Sequence, residues 1–333
     1  MMISQLLNGL RGKRVLITGG LGFIGSSVAL RLVHLGARVT IVDLDASNSG
    51  ANRFNIHSIS DDVELIINDI RDASIASRLV VKQDVIFHCA AQVSHTLGFQ
   101  TPLPDLQHNT EGTATLMHSV KMINPSCLVL YVGTRGQYGS ANQLPVNETH
   151  TMHPKGMYEV SKLAAEHVVR VYGELFSIPV IMARLGNIYG PRSQMKNAEQ
   201  GVANWFIRLA LDDLPIPLFD SGTVLRDYLY IDDCVDALLC CVAEPLCAGE
   251  AINVGSGRPE SIHALASEVI NACSTGSIEH RDYSRERRLV EPGDIYMDIR
   301  KISRLTPWKP ETNLSNGIHA TVQYYKTFKQ CYW

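Results

Sequence analysis

Short apolar runs of strand length recur through the first half of the chain, at residues 14–18, 38–42, 63–67, 84–87, 128–132 and 180–183. Between them lie segments whose apolar positions return at helical spacing, among them residues 26–35 and 154–172. Strands that alternate with helices predict a parallel sheet closed by right-handed crossovers, an α/β doubly wound fold. Such a sheet gathers its ligands at the carboxyl ends of the strands. Small or polar residues stand there: Asp69 after the third run, His88-Cys-Ala-Ala91 after the fourth, Gly133-Thr134 after the fifth and Arg184 after the sixth.

The first strand runs into Gly19-Gly-Leu-Gly-Phe-Ile-Gly25. Glycine is required where the main chain turns sharply, where a pyrophosphate approaches it, and where a helix packs closely on a strand. The helix behind the turn offers its first amides and a partial positive charge to phosphates. Gly19, Gly22, Phe23, Ile24 and Gly25 therefore form a candidate dinucleotide cradle of Rossmann type, and Gly36 sits where a C-terminal cap belongs. Asp43 ends the second strand, close to the position where an acid accepts hydrogen bonds from an adenosine ribose. That favours NAD over NADP, whose 2′-phosphate a carboxylate repels. Capping its own loop is the other use of such an Asp.

Tyr158 and Lys162 are separated by one helical turn in Met157-Tyr-Glu-Val-Ser-Lys162, which places a phenol and an ammonium on one face. A phenol titrates near 10 and is a poor base at neutral pH, so an adjacent cation that favours the phenolate makes it useful. Pairs of this spacing are common on helix surfaces. Their meaning comes from what surrounds them.

The surroundings are specific. Thr18 to Gly25, Asp69-Ile-Arg-Asp72, His88-Cys-Ala-Ala-Gln-Val-Ser94, Asn109-Thr-Glu-Gly-Thr113, Thr134 to Gly139, Tyr158 to Lys162, Arg184-Leu-Gly-Asn-Ile-Tyr-Gly-Pro191 and Arg226-Asp-Tyr-Leu-Tyr-Ile-Asp-Asp233 follow one another in order. Together they resemble the extended short-chain dehydrogenase/reductases, in the NAD-dependent nucleotide-sugar epimerase and dehydratase group of UDP-glucose 4-epimerase type. The resemblance covers nearly the whole chain. It implies that Asp69 and Ile70 bracket the adenine and that Ala90, Ala91, Gln92 and Asn109 serve the cofactor. Tyr158 and Lys162 then reach the nicotinamide ribose and the sugar, with Thr134 as hydroxyl partner of the tyrosine. It places Ser94, Thr134, Asn187, Arg226 and Asp294 on the substrate. Arg135, by its charge, either contacts an acidic substrate group or is a loop arginine facing water or a backbone carbonyl. The resemblance divides the chain into an NAD-binding domain, residues 1–184 with about 220–252, and a smaller discontinuous substrate domain, 185–219 with 253–333. A homodimer formed through the helices at 109–122 and 158–172 is also implied.

The implied chemistry is hydride transfer at a hydroxyl-bearing sugar carbon, with C4 of a nucleoside-diphosphate hexose as the centre. Tyr158 takes the hydroxyl proton, Lys162 stabilises the phenolate and holds the ribose, and Thr134 hydrogen-bonds the reacting oxygen. The keto sugar then has three fates: an epimer, an elimination product, or release. Dehydratases of the group carry Asp and Glu directly after the hydroxyl residue. This chain has Arg135 and Gly136, neither of which abstracts a proton at neutral pH, so epimerisation is favoured over dehydration. Glu159 is the carboxylate that could substitute. A keto-sugar reductase and a catalytically silent dinucleotide sensor are the remaining readings.

Two positions concern phosphate binding, and one of them departs from the family pattern. Arg226 resembles the arginine that pairs with the diphosphate, or else it pairs with Asp227. A second family arginine, just before Pro292-Gly-Asp294, is replaced by Glu291, and Arg285, Arg287 or Arg288 could supply the missing charge.

Composition narrows the setting. With 333 residues, 45% hydrophobic and 19% charged, the chain can bury a large core, and its net charge of −3 gives no nucleic-acid signal. No apolar stretch approaches the roughly 20 residues that span a bilayer. The 12 histidines and 8 cysteines show no metal-ligand spacing, so no metal is expected. Cys240 and Cys241 read as core residues, the thiols as reduced, and the compartment as cytoplasmic. Asp232 and Asp233 read as caps of a helix start.

Overall fold

The structure is a computed structural model that describes residues 2–47, 49–93, 98, 101–198, 201–283, 288 and 291–333. The six apolar runs form β1 (Arg14–Thr18), β2 (Arg38–Asp43), β3 (Val63–Ile67), β4 (Val85–His88), β5 (Leu128–Thr134) and β6 (Val180–Leu185). With β10 (Ala251–Val254) they make a seven-stranded sheet in the order β10-β6-β5-β4-β1-β2-β3, every neighbouring pair parallel. The order reverses at β1, since β2 lies on one side and β4 on the other. That reversal opens a crevice at the carboxyl ends of β1 and β4.

The inner strands are apolar on both faces because both are covered, whereas the edge strand β3 is only partly buried. Val15, Ile17, Val85 and Phe87 enter one core with Val28 and Leu32 of the Phe23–His34 helix and Leu238 and Leu239 of the Ile231–Ala243 helix. Leu16, Ile86 and Val129 enter the other, with Leu116 and Val120 of the Gly112–Ile123 helix and Ala165 and Val169 of the Met157–Phe176 helix. Cys240 and Cys241 are buried in the first core.

A smaller unit carries a third core. It contains β7 (Asn187–Tyr189), β8 (Pro215–Phe219), β9 (Leu225–Tyr230), β11 (Pro259–Ser261) and β12 (Ser277–Arg281), paired as β11-β9-β7 and β12-β8. Phe206, Val269 and Val322 fill it from three helices. The chain returns to the large sheet's layers at Ile231 rather than near residue 220, because β9 pairs with β7. It returns again at Ile302 and Trp308, which are buried in the first core. Asp232 and Asp233 lie in the first turn of the 231–243 helix and make no cap; Asp233 instead accepts a hydrogen bond from the Thr312 N–H at 2.8 Å.

The helix after the glycine turn starts at Phe23 with Gly22 as its N-cap, earlier than the apolar spacing indicates. The helix carrying Tyr158 starts at Met157 and continues to Phe176, where Ser177 takes a left-handed conformation (φ 54°) that ends it. No helix among the described residues is long and apolar enough to cross a membrane.

Candidate active site

A cavity of about 1650 Å³ occupies the crevice and extends to the smaller unit. A pocket for one small molecule holds roughly 300–1000 Å³. The space accommodates two ligands side by side.

One end is built from the glycine turn. Gly19 has φ 71°, and a Cβ there would stand 2.8 Å from the Ala90 main chain. The β1 and β4 loops thus meet backbone to backbone, which only glycine permits. A Cβ on Gly25 would collide with the Gly19 carbonyl. Gly22, Phe23 and Ile24 line the cavity where the helix begins, and no side chain caps that N-terminus. Its amides face the space in which a pyrophosphate would be held. Asp43 is used in both ways open to it. Its carboxylate accepts hydrogen bonds from the Leu21 and Asp45 amides, each at 3.0 Å, and it also lines the cavity. Burial raises its pKa, and each oxygen keeps a lone pair for a ribose hydroxyl. These residues fit a dinucleotide.

Asp69, Ile70, Ala90, Ala91 and Gln92 line the same end. Asp69 is tied to Arg71 at 2.6 Å, and its hydrogen bonds to Arg71 outweigh burial and hold its pKa low. Asn109 does not line the cavity. Its Oδ1 accepts from the Gln92 amide at 2.7 Å, and its Nδ2 donates to the Gln92 carbonyl at 3.0 Å and to Ser161 Oγ at 2.9 Å. Both amide hydrogens are therefore occupied, and Asn109 acts on the site by fixing Gln92. Ser94 lies outside the described residues.

Thr134, Tyr158 and Lys162, the candidate reacting centre, meet where β5 ends against the long helix. Thr134 hydrogen-bonds Tyr158 through its side chain and accepts the Gly136 amide at 3.1 Å. Tyr158 is buried, which pushes its phenol above the usual value; the nearby Glu159 adds to this, and Thr134 and Arg135 oppose it. Lys162 is also buried. Its Nζ donates to the Val132 carbonyl at 2.7 Å and stands 4.4 Å from the centre of the Tyr131 ring. Burial lowers its pKa to about 8. The expected relation, an ammonium that favours the phenolate, is not the arrangement seen here: desolvation of the phenol dominates, and the ammonium is turned to a carbonyl. Tyr158 is held as a protonated phenol.

Two further residues, Glu166, which no motif singled out, and His88, brace this group. Glu166, one turn beyond Lys162, pairs with Arg184 at 2.6 Å, both buried, while Arg184 also donates to Tyr138 at 2.9 Å and to the Glu148 carbonyl at 3.0 Å. Its signal was the helical spacing from Tyr158 through Lys162. His88 is buried between Thr18 at 2.7 Å and Thr113 at 2.9 Å, with its pKa pushed down to about 3 by burial. It is a neutral structural imidazole. Among the described residues no cluster of His, Cys, Asp or Glu could hold a metal ion, and no disulfide forms.

The far wall carries the arginines. Arg135 donates from Nε to Asn187 Oδ1 at 2.6 Å, and burial with the neighbouring Arg226 lowers its pKa to about 10. Arg226 pairs with Glu291, not with Asp227, and donates to the carbonyls of Leu225 (2.8 Å) and Gly293 (2.5 Å). Asp227 instead accepts from Ser256 and from the Met297 amide. Glu291 thus occupies the very arginine expected on the diphosphate. Asp294 is exposed and away from the cavity; its Oδ1 accepts the Leu225 amide at 2.8 Å and tethers the Pro-Gly-Asp turn to β9. Arg288 is turned to Asp220 at 3.3 Å, and Arg285 and Arg287 lie outside the described residues.

A dinucleotide cradle joined to a Tyr, Lys and Thr centre on a doubly wound sheet defines a nicotinamide-dependent oxidoreductase-type site. Residues 15–255 match the NAD dependent epimerase/dehydratase family, and the chain belongs to that family. Its cofactor is NAD. It is 31% identical over 320 residues to a UDP-glucose 4-epimerase of Mycolicibacterium smegmatis, covering 95% of this chain and all of that protein (100%). It is 32% identical over 327 residues to a dTDP-D-glucose 4,6-dehydratase of Mus musculus, covering 94% and 89%. The structure of a UDP-glucuronic acid 4-epimerase from Bacillus cereus, in complex with UDP-glucuronic acid and NAD, superposes with a TM-score of 0.84 at 28% identity, covering 95% of this chain and 99% of that one.

Proposed function

We propose that this protein is a nucleotide-sugar epimerase that inverts C4 of a nucleoside-diphosphate hexose through a transient keto sugar. NAD, cradled by Gly19, Gly22, Gly25 and Asp43, supplies reversible hydride acceptance. Tyr158 moves the proton of the sugar hydroxyl, Thr134 orients the phenol and the reacting oxygen, and Lys162 holds the ribose. Before Tyr158 can act as a base, the pKa raised by burial has to fall. A cation beside the phenol would lower it, and Lys162, one helical turn away, is the residue placed to supply that charge.

The observation that carries the reading is the turn after β5. Arg135 and Gly136 stand beside Tyr158 where elimination needs an acid and a base, and Arg135 is committed to Asn187. Glu159 is the specific support for the second reading, a dehydratase. It lines the cavity against Gly136 and Gly156 and is close enough to Tyr158 to raise its pKa. Incubating the protein with UDP-, dTDP-, GDP- and CDP-hexoses in deuterated water separates the two by NMR. An epimer without solvent deuterium is expected, and Tyr158→Phe abolishes its formation while NAD stays bound; a 6-deoxy-4-keto product carrying solvent deuterium establishes the dehydratase instead.

We also assign a homodimer. Leu175 (70% exposed), Met122 (63%), Val171 (44%) and Ile123 (44%) stand apolar and exposed on the two neighbouring helices Gly112–Ile123 and Met157–Phe176. A second copy covering them would remove this surface from water.

A further inference from the structure

The geometry points to Arg135, with Asn187 and Tyr228, as an anion subsite that takes over the charge recognition Glu291 withdraws from Arg226. This rests on the nucleotide-sugar reading and refines it. Arg226 is largely engaged: one terminal nitrogen donates to two carbonyls and the other pairs with Glu291. Tyr283 and the Gly293 amide hold the same carboxylate, at 3.3 and 3.2 Å, and Lys155 holds the Glu291 carbonyl at 2.9 Å. Glu291 is thus fixed at four points.

Arg135 is in the opposite condition. Asn187 fixes its Nε, yet its two terminal amino groups have no hydrogen-bond partner among the described residues. Tyr228 is the register partner of Asn187 on the adjacent strand, so their side chains share a face. Tyr228 is 5% exposed, lines the same cavity, and its hydroxyl is buried with no partner among the described residues. The Tyr228 phenol is thus buried without a partner among the described residues, while the partly buried Arg135 guanidinium opens on the cavity, with the carboxylates of Glu291 and Glu159 near it. An anionic oxygen pair that accepts from both satisfies the phenol and pairs with the guanidinium. Because Thr134 is bonded to Tyr158, the anion bound at Arg135 sits next to the reacting centre. The group is a phosphate of the diphosphate or a carboxylate on the sugar.

Calorimetric titration of the NAD-loaded protein decides the matter. The probes are the diphosphates of uridine, thymidine, cytidine and guanosine, followed, on the base that binds best, by its glucose and glucuronic acid conjugates. Arg135→Gln is expected to weaken binding about ten-fold or more. The loss falls on all three ligands of that base if the anion is the diphosphate, and on the glucuronic acid conjugate alone if it is the sugar carboxylate. Tyr228→Phe, which removes only the hydroxyl, is expected to weaken the same ligands about three-fold, and it carries the test if Arg135→Gln fails to fold. Unchanged affinity for every ligand, with NAD still bound, overturns the subsite and leaves the nucleotide-sugar reading standing. Failure of the wild type to bind any of the diphosphates removes both.

Discussion

Lys162 shows how strongly a single buried charge depends on its surroundings. Its folded pKa is about 8 against an ordinary 10.5, because burial outweighs the pull of Cys89 and Glu166. Between those two values the folded chain has released a proton that the unfolded chain still holds. Unfolded protein then binds more protons, so the Lys162 contribution to stability rises with pH through this window and is constant below it. The difference amounts to about 3 kcal/mol. Urea unfolding of the cofactor-free protein and of Lys162→Met across this range is expected to show the wild type gaining on the variant by that order. The raised pKa of Tyr158 acts with the opposite sign in both proteins, and the comparison removes it. Parallel pH curves for the two would refute the depressed pKa. At this scale the sequence displayed residue type and spacing, and hence Tyr158, Lys162 and Thr134. It could not display orientation, which depends on the Val132 carbonyl and on burial.

The helix that carries Tyr158 and Lys162 is held from below as well as by its apolar stripe. Arg184 at the end of β6 makes a bidentate contact with Glu166 one turn past Lys162, so β6 sets how far the helix slides along the sheet. Removing one partner of a buried pair strands the other charge. Glu166→Ala is expected to cost about 3–5 kcal/mol in chemical denaturation and to lower turnover along with it, because Tyr158 and Lys162 ride on the same helix. A variant as stable as wild type would show that Arg184 finds a substitute, for instance through Tyr138 or the Glu148 carbonyl. The strands of the large sheet were legible because their signal is local: β-branched runs bounded by turn residues. The glycine turn was legible because a few adjacent positions need particular backbone freedom. The resemblance set the return to the large domain near residue 220, but β9 pairs with β7, a partner distant in sequence that no local pattern names. The pairing of Glu291 with Arg226 spans 65 residues and was invisible for the same reason, although each residue was noticed alone.

At the scale of the whole molecule, the open question is what covers the outer face of the two helices behind the active site. The inner faces of both helices are buried in the second core, but Met122, Ile123, Val171 and Leu175 are left to water beside Lys121, whose ammonium stands 4.2 Å from the Phe176 ring centre. Scattered exposed apolar residues need no explanation, whereas several gathered at the ends of two adjoining helices mark a contact surface. A two-fold contact is self-complementary, so one patch serves both copies, and four helices would then form a bundle behind the two active sites. Such a bundle would also stiffen the helix that carries Tyr158 and Lys162, which links assembly to turnover. Light scattering is expected to give twice the chain mass of 36.8 kDa, with a melting temperature that rises with protein concentration. Val171→Lys with Leu175→Glu places charges in the contact without touching the cavity. That variant is expected to run as a monomer with lower turnover and undiminished NAD binding; a variant that still runs as a dimer means that another surface joins the copies.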